Sequence, residues 1–183
     1  MNKIILFVFL MVVASSLAEE MKKFKLTMEK VDITTDPEYI TAKAVLRTED
    51  GKSVVDVDGS VLQDVESGIF VDIFINTESE PGQFKSLIKA EDIDFCNYDT
   101  NNSIGPLIEL FLKDIDNFGN IPLKCPIKKG DFHVKNFRIS EEKLPPHTPE
   151  ARYLIESKIH VPKDGNNRHL VYNSKWIALI VKE

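Results

Sequence analysis

The chain contains two cysteines, Cys96 and Cys125, and it opens with an apolar segment typical of a secretory signal. Disulfides persist in the extracellular environment, so a single pair of cysteines in a secreted chain predicts one disulfide. The alternative is two free thiols. In the chain-entropy model, a disulfide that closes a loop of this length contributes about 3 to 4 kcal/mol to stability.

The first eighteen residues have the parts of a signal peptide. Lys3 supplies a positive charge, residues 4–13 are an unbroken apolar run, and Ala18 ends a stretch of small residues where signal peptidase cleaves. The apolar run is too short for a membrane span, which needs about 20 residues. We therefore expect a signal peptide over 1–18, no stable membrane insertion, and a secreted, extracellular protein whose single domain covers 19–183.

The charge of the chain argues against a nucleic-acid partner. It carries 23 basic and 29 acidic residues, which gives a net charge of −6 at pH 7. No long basic run is present, and basic residues do not alternate with aromatic ones. The surface needed to neutralise phosphates is therefore missing.

Most of the chain shows short segments in which every second residue is apolar, the pattern of a half-buried strand. For example, Val71, Ile73 and Ile75 share one face, while Asp72 and Asn76 lie on the other. About eight such segments, without alternating helices, predict an all-β fold: an antiparallel two-sheet sandwich or cup of immunoglobulin-like type. The predicted strands cover 24–33, 39–48, 55–61, 71–76, 84–95, 132–139, 153–161 and 168–181.

Residues 103–118 break this pattern, because their apolar residues recur at helical spacing. Ser103 can cap the start of a helix and Gly119 can end it. We therefore expect one short helix inside the disulfide loop. Leu110 lies among the polar residues of this helix. This position indicates a lid or an interaction surface; the alternative is that a neighbouring loop covers the leucine. The apolar face consists of Ile104, Leu107, Ile108, Phe111 and Ile115.

Motifs of catalysis or metal binding are not evident. Residues 56–59 resemble part of a calcium loop, but the other ligand positions of that loop hold valines. There is no Gly-x-Ser-x-Gly elbow of a serine hydrolase. The alternative is a hydrolase with a pair of catalytic carboxylates, which can be distant in sequence and meet only in the folded protein. We predict a non-enzymatic protein with no metal or cofactor. The histidines, which lack the paired spacing of zinc ligands, are His133, His147, His160 and His169.

Asn101 begins the one N-glycosylation sequon, Asn101-Asn102-Ser103, in a polar stretch between the two cysteines. Its use would require an exposed loop. The alternative is an unused sequon.

Several blocks around the cysteines carry a family resemblance: Phe95-Cys96, residues 105–111, residues 124–130, and residues 134–137 followed by Leu144-Pro145-Pro146. Together they resemble a family of insect secreted proteins of unknown function that includes the chemosensory B type proteins. That family is distantly similar to the ganglioside-activator and related lipid-recognition proteins, whose sandwich or cup holds an apolar ligand between its sheets. The resemblance implies a Cys96–Cys125 disulfide and carriage of a hydrophobic small molecule, a lipid or a chemosensory cue.

Aromatic and apolar side chains of the predicted strands and helix are the candidates for contact with such a ligand. They either line a cavity between the sheets or fill that space as core. In the second case the protein is an extracellular protein–protein interaction module, with a receptor as its partner. The residues expected to contact a ligand are Phe70, Phe74, Ile108, Phe111, Phe132, Tyr153, Tyr172 and Trp176.

Overall fold

A computed structural model describes residues 24–97, 115, 117–145, 147–163 and 167–182. The strands in this part of the chain are β1 (Phe24–Thr35), β2 (Ile40–Glu49), β3 (Lys52–Val61), β4 (Phe70–Glu80), β5 (Gln83–Asp94), β6 (Gly130–Phe137), β7 (Ala151–Pro162) and β8 (Arg168–Lys182), and a short 3₁₀ helix covers Glu141–Lys143. They form a five-stranded sheet in the order β1-β8-β7-β4-β5 and a three-stranded sheet in the order β2-β3-β6. All pairings between these strands are antiparallel, so the prediction of an all-β, two-sheet fold is confirmed.

The two sheets enclose one apolar core. Alternate residues of a strand point to opposite faces, and the inward-facing residues of both sheets pack together. Met28 and Ala178 come from the five-stranded sheet, whereas Val55, Val57 and Val134 come from the three-stranded sheet. Apolar and polar residues alternate along β3, β4 and β7, as predicted. Each of these strands therefore has one apolar face that packs against this core.

Gly59 in β3 leaves room for an aromatic side chain of the core. It is paired with Phe132 of β6, and a Cβ atom at Gly59 would lie 2.4 Å from Phe132 Cζ and 2.3 Å from the carbonyl oxygen of Thr41. Both distances are far below van der Waals contact. Only glycine fits beneath the Phe132 ring, which is 8% exposed.

Strand β1 is an edge of the five-stranded sheet, and two side chains cap part of this edge. Glu141 Oε1 accepts a hydrogen bond of 2.7 Å from the Leu26 N–H, and Ser53 Oγ accepts one of 2.9 Å from the Met28 N–H. An edge strand otherwise leaves such donors unpaired. Since Ser53 belongs to β3, its hydrogen bond also joins the two sheets.

The disulfide between Cys96 and Cys125 is present, as predicted, with a Cα–Cα distance of 5.4 Å. Cys96 follows β5 of the five-stranded sheet, and Cys125 precedes β6 of the three-stranded sheet. Beside it, Val65 and Ile127 exchange two backbone hydrogen bonds of 2.9 Å each. The disulfide therefore ties together the two ends of the β5–β6 connection, which joins one sheet to the other.

Several predictions fall on residues outside the described part of the chain. These are the signal peptide over 1–18, the sequon at Asn101, and most of the helix over 103–118, including Ile108 and Phe111. Ile115 is described and helical, and its carbonyl accepts a hydrogen bond of 3.0 Å from the Phe118 N–H. The three predictions stay predictions.

On the outer face of the three-stranded sheet, Asp56 accepts hydrogen bonds from two residues. The Arg47 Nε donates to Asp56 Oδ2 at 3.1 Å, and the backbone N–H of Asn136 donates to Asp56 Oδ1 at 2.7 Å. The hydrogen bond from Arg47, followed by that from Asn136, lowers the pKa of Asp56 below its usual 3.8. Asp56 is thus a structural carboxylate of the strand rather than part of a calcium loop.

The low pKa of Asp56 predicts a loss of stability in acid. Because the unfolded state takes up the proton first, the contribution of Asp56 is complete above pH 3.8 and disappears as the pH falls through the lower pKa of the folded state. Asp56→Asn should therefore reduce the pH dependence of the free energy of unfolding below pH 3.8, as measured by urea denaturation. Asp50→Asn, in the turn between β2 and β3, is the control. Equal pH profiles for wild type and Asp56→Asn would contradict this assignment.

Candidate functional site

A cleft of about 360 Å³ opens between the two sheets, where β1, β3 and β6 meet the 3₁₀ helix. Small-molecule sites typically have volumes of about 300–1,000 Å³ and apolar walls with a few polar groups. The apolar residues that line this cleft are Leu26, Met28, Val55, Phe118, Phe137 and Ile139, and the polar ones are Lys52, Ser53, Asn117, Arg138, Ser140, Glu141, Glu142 and Lys143.

The floor of the cleft is part of the packed core. Met28, Val55 and Phe137 are all buried there, and the Phe137 ring meets the Phe118 ring edge-on with a centroid distance of 5.6 Å. Edge-to-face contacts of this kind fix the rings relative to each other. The apolar floor is therefore formed by the fold itself, before any ligand binds.

A β-bulge brings Phe137 to this floor. Val57 pairs with Val134 but Val55 pairs with Phe137, so β6 has one more residue than β3 over this stretch. Asn136 takes up the extra residue with a φ of 58°. Without the bulge, regular alternation from Val134 would turn Asn136 inward and Phe137 outward.

The rim of the cleft is charged. Lys52 lies at the start of β3, Arg138 follows β6, and the 3₁₀ helix supplies Glu141, Glu142 and Lys143. Of the two acids, Glu141 already accepts the hydrogen bond from the Leu26 N–H. An apolar floor below a charged rim can hold a molecule that has an apolar body and a polar end.

A second, more polar groove of about 580 Å³ lies along the edges of β1 and β2. Its apolar residues are small or β-branched, and they offer no aromatic wall. Among the described residues, the Oδ1 atom of Asn173 in this groove is buried without a hydrogen-bond partner. The inter-sheet cleft has the larger apolar side chains and is the better candidate for a ligand site. The second groove is lined by Val31, Asp32, Ile33, Thr34, Ala42, Lys43, Ala44, Asn173 and Lys175.

Two of the predicted ligand contacts, Phe132 and Tyr153, are buried in the core. The Phe132 ring lies over Gly59, and the Tyr153 hydroxyl donates a hydrogen bond of 2.8 Å to the carbonyl of Pro149. Burial raises the pKa of the Tyr153 hydroxyl above 10.0. Both side chains fill space between the sheets, and neither lines the cleft.

Two further candidates, Tyr172 and Trp176, lie on the inner face of β8. Trp176 is half-buried against the core, and its Nε1 donates a hydrogen bond of 3.0 Å to Ser174 Oγ. The Ser174 and Ser157 hydroxyls are 2.7 Å apart. Burial raises the pKa of Tyr172, although a hydrogen bond with Ser174 opposes this effect. The polar groups of Tyr172, Trp176 and Ser174 thus have hydrogen-bond partners on the inner face of the sheet. Neither the Tyr172 ring nor the Trp176 ring lines the cleft.

The remaining described candidates, Phe70 and Phe74, lie on the outer face of the five-stranded sheet. They alternate with Val71 and Ile75, whose face is directed toward the core. The Arg168 guanidinium carbon is 3.6 Å from the Phe70 ring centroid, and Lys158 Nζ is 5.0 Å from that of Phe74. The two rings are thus outside the inter-sheet space in which a ligand was expected.

The histidines form no metal centre within the described residues. His169 Nε2 is hydrogen-bonded to Asp36 Oδ2, and His160 Nδ1 lies 3.6 Å from Asp72 Oδ2. In the described ranges, no group of three or more His, Cys, Asp or Glu side chains could hold a metal ion. The same ranges contain no helix with the length and apolar character needed to cross a membrane.

The described residues form a two-sheet, mainly β domain with one disulfide. Residues 69–155 match the model of a family that is described as a protein of unknown function (DUF1091). The match begins just before β4 and ends within β7, so that it includes the disulfide and the cleft residues from Asn117 to Lys143. No curated protein matches the chain.

Proposed function

We propose that this protein is a secreted, non-enzymatic binding protein that carries a hydrophobic small molecule between its two sheets. The observation that carries the proposal is the inter-sheet cleft, whose floor is apolar and whose volume of about 360 Å³ is typical of ligand sites. Burial of hydrocarbon against Met28, Val55 and Phe137 would provide the main free energy of binding.

The sequence supports the same proposal. The disulfide and the predicted signal peptide fit an extracellular protein. The resemblance to insect chemosensory B type proteins, and through them to lipid-recognition proteins, favours a lipid or a chemosensory cue as the ligand. The match to the unknown-function family DUF1091 is compatible with this proposal but assigns no ligand.

The direct test is to purify the protein from its own secretory source, extract it with organic solvent and analyse the extract by mass spectrometry. We expect an apolar compound in an amount comparable to that of the protein. An empty extract, together with no saturable binding of any apolar probe by the stripped protein, would reject carriage. The interaction module with an extracellular receptor would then be the better hypothesis.

A variant that fills the cleft locates the ligand. Ile139 lines the cleft and is half-buried, so Ile139→Trp should occupy ligand space without disturbing the deep core. We expect the affinity for N-phenylnaphthylamine to fall by at least about tenfold, which corresponds to about 1.4 kcal/mol. The measurement is a fluorescence titration of the stripped protein.

The matched control is Leu87→Trp, because Leu87 is 53% exposed on β5 at the opposite edge of the five-stranded sheet from β1. This variant should bind the probe like the wild type. Unchanged affinity in Ile139→Trp would contradict binding in this cleft.

A further inference from the structure

Two basic side chains on the rim of the cleft lack an acidic partner, which about half of the described basic residues have. Lys128, Lys135 and Arg152, for example, each form an ion pair within 3.1 Å. Within the described residues, no ion pair involves Lys52 or Arg138. These two cations are therefore free to meet a charge that another molecule brings.

Lys52 and Arg138 lie at the same end of the three-stranded sheet. Val55 pairs with Phe137 across β3 and β6, and the two strands run antiparallel. Residues before Val55 on β3 therefore lie near the residues that follow Phe137 at the end of β6. Lys52 and Arg138 occupy these positions, next to the apolar floor that Val55 and Phe137 form.

The rest of the rim is mixed in charge. Glu141 is engaged by the Leu26 N–H, and Lys143 is an additional basic residue. Glu142 is the remaining acid. The rim thus carries three basic and two acidic side chains, on a chain whose net charge is −6.

We propose that the cleft selects an amphipathic anion: a molecule with an apolar chain and one anionic head group, such as the carboxylate of a fatty acid. This inference rests on the proposed function and names the ligand class of the same site. The apolar chain lies on the floor, and the head group meets Lys52 and Arg138 on the rim. The planar guanidinium of Arg138 can donate two parallel hydrogen bonds to a carboxylate, and the ammonium of Lys52 adds a second charge.

The test compares two probes that differ only in the charge of the head group: a dansyl-labelled undecanoic acid and its methyl ester. Each is titrated into the stripped protein at neutral pH and low salt, where charge interactions are least screened. We expect the wild type to bind the acid about tenfold more tightly than the ester, as a charge-assisted contact would give. The double variant Lys52→Gln/Arg138→Gln should lose this preference and keep its affinity for the ester.

The control is Lys85→Gln/Lys89→Gln, which removes the same charge from two exposed positions of β5, at the far edge of the five-stranded sheet. It should keep the preference for the acid. Equal binding of acid and ester by the wild type would overturn the head-group inference and leave carriage intact. A preference lost equally in the control would also overturn it, because the effect would then come from net charge. Failure of both probes to bind would count against carriage itself.

Discussion

Phe132→Ala should lower the free energy of unfolding by about 3 to 5 kcal/mol, the range measured for large-to-small changes at buried phenylalanines. The ring is 8% exposed and packs over Gly59, which has no side chain that could move into the space left behind. A cavity therefore remains in the centre of the three-stranded sheet. The measurement is urea denaturation followed by circular dichroism.

The matched control is Phe74→Ala, because Phe74 belongs to the outer face and contacts Lys158 there. A cation–π contact at a partly exposed site contributes about 0.5–1 kcal/mol, so the control should lose far less stability. An unchanged midpoint for Phe132→Ala would show that the ring is not part of the core. Its predicted contact with a ligand would then become the main hypothesis for that residue.

Replacement of both cysteines, Cys96→Ala/Cys125→Ala, should cost about 3 to 4 kcal/mol. The sequence separation of 29 residues sets this value in the chain-entropy model, since the disulfide restricts the unfolded chain. Typical domains have a stability of about 5–15 kcal/mol, so the loss is a large share of the total. The effect should appear as a lower urea midpoint at neutral pH.

Reduction of the wild-type protein provides the control for this double variant. Reduced wild type and Cys96→Ala/Cys125→Ala should unfold at similar urea concentrations, because both lack the same constraint. If the variant were as stable as the oxidised wild type, the disulfide would contribute nothing to stability. If only the variant were destabilised, the cause would be the loss of cysteine side-chain packing.

The strands could be predicted from the sequence because most of them have one buried and one solvated face. In β7, Tyr153 and Ile159 alternate with Glu156 and Lys158, and this contrast alone identifies the inner face. The disulfide was predictable because the chain offers one possible pair. Both predictions depend on local pattern or on counting, which a single sequence contains.

The cleft could not be predicted in the same way. Its floor joins Met28 of β1, Val55 of β3 and Phe137 of β6, which no local pattern connects. The bulge at Asn136 also shifts the alternation of β6, so the inward position of Phe137 depends on backbone geometry. Phe70 and Phe74 are the converse case. They share a strand face with the charged Asp72, and this alternation by itself indicates the solvent side of the sheet.

The capped edge of β1 has a consequence for how molecules of this protein meet one another. Exposed edge strands pair with the edges of other molecules, and this pairing leads to aggregation at high concentration. Glu141 and Ser53 occupy the Leu26 and Met28 donors with side chains, which another molecule's strand cannot extend. These side chains prevent another strand from pairing with this stretch of β1, although no further strand of the protein covers it. The neighbouring cleft stays accessible to small molecules. In the proposed carrier, this stretch of β1 would resist pairing with another molecule's strand directly beside the site that exchanges the ligand.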